Sequence, residues 1–311
     1  MLSGGDVFMK KKLLGSVMLL SATLIWGTAF VAQSAGMALV GPFTFQLGRN
    51  VLAAGFLALW VLCADPARFA GQWKNPRLWK SGILCGCALF LASSLQQIGL
   101  TETGAGKAGF LTSLYILLVP LLELFFRKRP SRRTVLSLIP AVIGLYLLCG
   151  AGGRLRLGDL LLLLCALAFA VQIIAVERLG GGLNGIALNC IQSLTCAVLA
   201  LPFVLLKEKP AWQAVTACWL PLCYAGLLSS GIGYTLQIFG QQRLDAAPAA
   251  LIMSLESVFA ALAGWIIQHD VLTAPEAVGC ALVFSAVIFA QMPAGFRKKS
   301  GKVPGCRIDF L

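Results

Sequence analysis

Apolar residues in this chain come in long blocks, separated by short clusters of Lys, Arg, Gly and Pro, instead of alternating with polar ones. The blocks lie at 13–33, 42–63, 81–100, 105–126, 134–150, 158–176, 185–206, 217–240, 246–267 and 274–292. One helical crossing of a bilayer takes about 20 apolar residues, so the pattern predicts ten transmembrane helices in an all-α polytopic membrane protein. Gly150, Gly152, Gly153, Arg154 and Arg156 leave little room between the fifth and sixth blocks. Together those blocks span about 43 residues, twice what one crossing uses, and they are read as two.

Composition narrows the class further. Hydrophobic residues make up 59% and charged residues 12%, against about 45–50% and 25% in a soluble domain; a water-soluble globule and a disordered chain are both excluded. The eleven Cys are scattered through apolar blocks, unlike a compact disulfide framework, and their spacing does not suggest zinc. They read as small apolar side chains, and no metal or other cofactor is expected.

Lys and Arg favour the cytoplasmic side of a membrane protein. With the N-terminus inside, 19 of the 25 fall in cytoplasmic segments, 5 (Lys107, Arg154, Arg156, Lys207, Lys209) fall on the opposite side, and Arg49 lies within a span. Both termini are therefore expected in the cytoplasm of a multi-pass plasma-membrane protein. The net charge of +13 is accounted for by this topology and by contact with anionic lipid, without a nucleic-acid partner. Lys10-Lys11-Lys12 before an apolar block also fits a secretory signal. The block is too long for a signal core and lacks a convincing small-x-small cleavage site, so a retained first span is expected, with Met9 able to serve as a start.

The chain also repeats itself. Leu95-Gln96 recurs as Leu236-Gln237 and Ser113-Leu114 as Ser254-Leu255, both 141 residues on; Leu14-Gly15 recurs as Leu157-Gly158 at 143. Each half is then one copy of a five-span unit. Five is odd, so the second copy enters the membrane from the opposite side, giving two inverted repeats. Secondary transporters are built this way, with the substrate site between the halves. The expected organisation is a cytoplasmic segment (1–12), a first repeat (13–150), a second repeat (157–292) and a basic cytoplasmic tail (293–311).

Trp26-Gly27 in the first block, Pro42 followed by Arg49 in the second, and above all the segment from Ala249 to Leu262 around Glu256-Ser257 resemble the EamA-type, ten-helix branch of the drug/metabolite transporter superfamily. The resemblance covers nearly all of 13–292. It implies transport, often export, of small metabolites through a central cavity. The chain departs from the family pattern where the fourth and ninth helices commonly end in Gly-Glu: Arg127-Lys128-Arg129 and His269-Asp270 stand there instead.

Polar residues inside the blocks carry the functional signal, because a charge in hydrocarbon costs several kcal/mol unless it is paired or faces water. Arg49 lies about 12 Å from the outer end of its helix and Glu256 about 15 Å from the inner end of its own, at 1.5 Å per residue. The two are thus close in depth, so a mutually neutralising pair is allowed. Glu123, near the cytoplasmic end of the fourth helix, reads as a local partner of Arg127. Gln46, Arg49 and Asn50 share one helix face at i, i+3 and i+4, and Asn189, Gln192 and Ser193 repeat the spacing; both stripes are candidate cavity walls. For Asn50 and Ser193, interhelical hydrogen bonding is an equal reading. Trp26, Tyr115 and Tyr234 are candidate aromatic walls, and Gln96 and Gln237 are repeat equivalents. Gly82-x-x-x-Gly86 is a close-packing motif. The candidate substrate cavity is therefore Trp26, Gln46, Arg49, Gln96, Tyr115, Gln192, Tyr234, Gln237 and Glu256.

The leading expectation is a secondary transporter, read as an exporter, that carries a small organic metabolite across the bilayer by alternating access, with Glu256 a candidate for proton coupling. No nucleotide-binding Gly-rich Lys-Ser/Thr loop is present. The competing classes are an intramembrane enzyme and a membrane scaffold or receptor. The single His, His269, and the lack of His-Glu-x-x-His or Gly-x-Ser-x-Gly speak against the enzyme. A scaffold has no use for a costly buried Arg49.

Overall fold

A computed structural model describes residues 4–64, 71–102, 105–149, 156–263, 265–266 and 273–292. His269, Asp270, Arg154 and the tail 293–311 lie outside the described residues, as do residues 1–3.

Among the described residues every regular element is helical, and the elements group into ten helices. They are α1 (Gly4–Met37), α2 (Pro42–Ala64), α3 (Pro76–Glu102), α4 (Ala105–Ser113 and Tyr115–Phe125), α5 (Arg132–Cys149), α6 (Leu157–Leu179) and α7 (Gly185–Phe203, continued by the π-helical Val204–Glu208). Then follow α8 (Trp212–Ala217, Trp219–Cys223, the π-helical Tyr224–Gly233 and Tyr234–Gln241), α9 (Ala246–Met253 and Glu256–Ala263) and α10 (Ala274–Gln291). Nine of these are long and apolar enough to cross a membrane. The tenth, α5, opens on Arg132-Arg133 and packs along α10. The chain is a multi-pass membrane protein.

Two details depart from the expectation. Helix α1 starts at Gly4, so Lys10, Lys11 and Lys12 ride on the helix and no separate segment precedes it within the described residues; nothing in residues 6–12 interrupts helical backbone, and Lys is a good helix former. Helices α4 and α9 are both broken, at Leu114 and at Ser254-Leu255. Those positions are repeat equivalents. The Leu114 carbonyl accepts from the amides of Leu117 and Leu118, and the Ser254 hydroxyl turns back onto the Leu251 carbonyl at 2.8 Å. The hydroxyls of Ser113 and Ser257 meet at 2.7 Å and join the two breaks.

The largest helix interfaces cross between the halves and come in matched pairs. Helix α3 packs on α6 as α8 packs on α1; α4 packs on α6 as α9 packs on α1; α3 packs on α7 as α8 packs on α2; and α2–α7 and α5–α10 are their own counterparts. Exchanging each helix with the one five places on reproduces the set, as a two-fold axis relating inverted repeats requires. Polar residues collect inside this bundle, with Asn189, Gln192, Gln97, Ser230 and Ser254 at zero exposure, while Leu59, Leu206, Phe125 and Trp212 face outward. A bundle in lipid sorts its side chains this way, because the outside offers no hydrogen bonds.

Close helix approach depends on small residues. A Cβ on Gly82 would lie 2.6 Å from Ile191 of α7, and one on Gly86 would lie 2.6 Å from Thr195 and 2.8 Å from the Gln192 carbonyl. The motif therefore seats α3 against α7. At the other end of α7, the Glu208 carboxylate caps α2, accepting from the amides of Phe43 and Thr44 at 2.9 and 2.7 Å and from the Thr44 hydroxyl at 2.6 Å. Overpacking a tight interface costs about 1–3 kcal/mol. Gly86→Leu should accordingly lower the unfolding temperature of the detergent-purified protein by several degrees. Gly55→Leu, at a position with open space around it, should leave it unchanged; equal effects would show that α3 and α7 do not meet at Gly86.

Candidate functional site

Helical spacing turns Gln46, Arg49 and Asn50 inward together, and all three are buried. They then diverge. Gln46 donates to the Ser93 hydroxyl on α3 and accepts from Gln97 at 3.4 Å, and Asn50 donates back to the Gln46 carbonyl at 2.8 Å. Both are absorbed in helix packing, and Gln46 stays out of the cavity wall.

Arg49 alone of that stripe reaches a cavity of about 40 Å³ between the halves. Its guanidinium donates to Ser230 Oγ at 2.8 Å, Ser229 Oγ at 3.2 Å and Gln33 Oε1 at 3.3 Å. The two serines are adjacent on the π-helical part of α8. A π turn is wider than an α turn and commonly marks a functional site; here it presents both hydroxyls to one cation. Three of the five guanidinium N–H groups are used, and two remain for a ligand.

Trp26, Gln96, Tyr115, Tyr234, Gln237 and Glu256 line the same cavity as Arg49. Trp26 and Tyr234 stand 5.0 Å apart between ring centres, and the Trp26 indole donates to the Ser229 carbonyl at 3.2 Å. Gly233 makes room for that indole: a Cβ there would lie 2.6 Å from its Nε1. Tyr115 and Glu256, each the first residue after its helix break, are equivalents at the 141-residue offset.

Glu256 is half-buried, and its side chain makes no hydrogen bond or ion pair with any described residue. Arg49 and Glu256 therefore share the cavity wall without forming the neutralising pair that their depths allowed. Neutral oxygens surround the guanidinium instead. The site holds a cation and a carboxylate, each with unused bonding capacity.

Gln192 is fully buried and does not line the cavity. It accepts from Gln172 at 3.4 Å and donates to Asn189 at 3.3 Å. Residues not anticipated from the sequence complete the wall: Phe30, Gln33, Phe169, Gln172, Ile173, Ser229 and Met253. The repeat offset was a usable signal for one of them, since Trp26 plus 143 is Phe169. Tyr115 and Phe169 lie 6.4 Å apart, edge to face. No cluster of three His, Cys, Asp or Glu able to hold a metal occurs among the described residues.

The profile of the EamA-like transporter family matches this chain twice, over 13–150 and 156–292. The chain belongs to that family. An uncharacterized transporter of Archaeoglobus fulgidus is 29% identical over 91% of this chain and 87% of its own length. The threonine/homoserine exporter RhtA of Escherichia coli K12 is 28% identical over 89% of each chain. A probable terminal-alkyne amino-acid exporter of Streptantibioticus cattleyicolor is 24% identical over 95% of this chain and all of its own. A solved crystal structure superposes with a TM-score of 0.76 at 22% identity, over 89% of this chain and 96% of that one, and shows the same fold.

As an EamA-family transporter, the chain carries a second charged group where the family pattern was interrupted. Glu123 pairs with Lys128 at 3.3 Å, not with Arg127, which adopts a left-handed backbone at φ 58° and leads away. Lys128 also contacts Glu177 at the end of α6 and Asp245 at the start of α9, the latter at 2.9 Å, so one ammonium joins the first repeat to the second. Partial burial disfavours its charge, yet hydrogen bonds to Asp245 and Glu177 outweigh that and hold its pKa above the ordinary lysine value. A raised value means that the clasp is fully formed below the ordinary lysine range and is lost only as pH climbs above it.

Removing one partner of a buried pair costs about 3–5 kcal/mol, and the partial exposure of Lys128 reduces this to about 1–2 kcal/mol here. Lys128→Met should destabilise the detergent-solubilised protein by that amount, and adding Glu123→Gln should recover part of the loss because Glu123 is the buried member. A double variant no more stable than Lys128→Met would show that Glu123 does not depend on the clasp.

Proposed function

We propose that this transporter is a secondary exporter of small zwitterionic metabolites of the amino-acid kind, working by alternating access across the plasma membrane with both termini in the cytoplasm. One observation carries the reading: among the described residues, the cavity between the repeats presents a guanidinium held only by neutral oxygens and, separately, a carboxylate without a hydrogen-bond or ion-pair partner. A substrate with its own carboxylate and ammonium complements both. The two free N–H groups of Arg49 take the substrate carboxylate, Glu256 takes the ammonium, and Trp26, Tyr115, Phe169 and Tyr234 supply apolar walls. The names of RhtA and of the Streptantibioticus relative agree with this chemistry.

Rocking of the two halves about their two-fold axis then exposes the cavity to each side in turn. A carboxylate in the wall with no partner among the described residues also suits a proton carrier, which gives up its proton when substrate binds and takes one up again when the cavity is empty.

Uptake of labelled L-threonine into liposomes holding the purified protein tests the reading. A hydrogen bond to a charged group contributes about 1.5–3 kcal/mol, so Arg49→Gln should raise KM by roughly ten- to hundredfold, with the protein still folded. Glu256→Gln should abolish accumulation driven by a pH gradient. If Glu256 carries the proton, Glu256→Gln retains exchange of internal for external threonine; if it only binds the ammonium, exchange fails as well. Wild-type protein that shows no saturable uptake of any amino acid would refute the substrate class. Full gradient-driven accumulation by Glu256→Gln would remove Glu256 from the mechanism.

A further inference from the structure

Behind the cavity wall runs a directed chain of buried amides. Gln237 Nε2 donates to Gln172 Oε1 at 3.1 Å, Gln172 Nε2 to Gln192 Oε1 at 3.4 Å, and Gln192 Nε2 to Asn189 Oδ1 at 3.3 Å. Asn189 Nδ2 then donates to the carbonyls of Ser230 and Gly231 at 2.9 and 3.0 Å and to the Thr235 hydroxyl at 3.0 Å. The carbonyls belong to the π-helical turn whose Ser229 and Ser230 hydroxyls hold Arg49. All four amides are essentially fully buried.

Each amide in the series uses its carbonyl toward the cavity and its N–H₂ toward the π turn, so the orientation of one fixes the next. A π turn departs from the α-helical hydrogen-bond pattern, and Asn189 gives two of its carbonyls a donor from outside the helix. At the cavity end the series is incomplete: Gln237 Oε1 is buried, lies on a residue of the cavity wall and accepts from none of the described residues.

We propose that Gln192 and Asn189 are positioning residues: they touch no substrate, but they set the π turn and through it the guanidinium of Arg49, and so determine affinity for the carboxylate end of the substrate. The open Gln237 oxygen at the head of the series receives an N–H donor of the bound substrate. A ligand at Gln237 and a ligand at Arg49 are then held by one continuous hydrogen-bonded structure. This deepens the zwitterion reading given above and rests on it for the identity of the ligand. The role of Gln192 is distinct from the cavity-wall role that its repeat equivalence to Arg49 suggested.

The test uses the full chain in liposomes and L-threonine as the probe. Gln192→Met keeps the length of the side chain and removes its donor and acceptor. Displacing a binding group by a fraction of an ångström weakens its contact by about tenfold or more, so KM should rise about tenfold while the maximal rate stays within twofold. In an Arg49→Lys background the same change should add less than twofold, because the group being positioned is already altered. Asn189→Leu serves as a second variant should Gln192→Met fail to fold. An unchanged KM, a matched fall in maximal rate and KM, or full additivity with Arg49→Lys would each overturn the proposal.

Absence of threonine uptake by the wild-type protein would instead count against the substrate class. The positioning role is then decided by melting temperatures of the single and double variants at Arg49 and Gln192. Coupled shifts support the role and additive shifts overturn it.

Discussion

Arg49 stays inside an apolar bundle because neutral oxygens from other helices do for its guanidinium what water does outside. Hydrocarbon offers no hydrogen bonds, so the bundle must bring Ser229, Ser230 and Gln33 to one point. Much of the interior follows from that demand. The wide turn in α8 exists where the two hydroxyls are delivered, Trp26 lies across the same turn, and Asn189 of α7 donates to two of its carbonyls. No carboxylate among the described residues bonds to it, and the cation keeps part of its bonding capacity unused.

The two-fold relation between the halves places like elements around the cavity without making them chemically alike. Tyr115 and Glu256 occupy matching positions after matching helix breaks, and one is a neutral phenol while the other is an acid. Arg49 and Gln192 match as well, and one lines the cavity while the other stands behind it. Symmetry repeats the helix geometry around the cavity, and the departures from it supply polarity along it. The zwitterion proposed above is thereby given one favoured orientation.

Much of this was legible in the chain. Ten apolar blocks, the near-constant repeat offset and the cost of a buried cation led to the fold, to the inverted halves and to Trp26, Arg49, Gln96, Tyr115, Tyr234, Gln237 and Glu256 on one cavity. The parts that stayed hidden share a cause. Helical periodicity says which face of α2 is buried but not which neighbour it meets, so Gln46 and Arg49 were indistinguishable until Ser93 was seen to occupy Gln46. A serine in an apolar run costs little and leaves no periodic mark, so the cradle made by Ser229 and Ser230 gave no signal. Depth along a helix is one coordinate of three, and Arg49 and Glu256 share a cavity wall without bonding to each other.

The partners of Arg49 on α8 lie 180 and 181 residues further along the chain, which sets a problem of timing during synthesis. When α2 leaves the ribosome, α8 does not yet exist to bring Ser229 and Ser230 to Arg49, and Glu208 is not yet there to cap its first turn. The first five helices must therefore wait, with a cation turned toward lipid or toward the insertion machinery, until the second half has been made. The first repeat is thus half of one folding unit, since two of the three bonds to its buried cation come from the second.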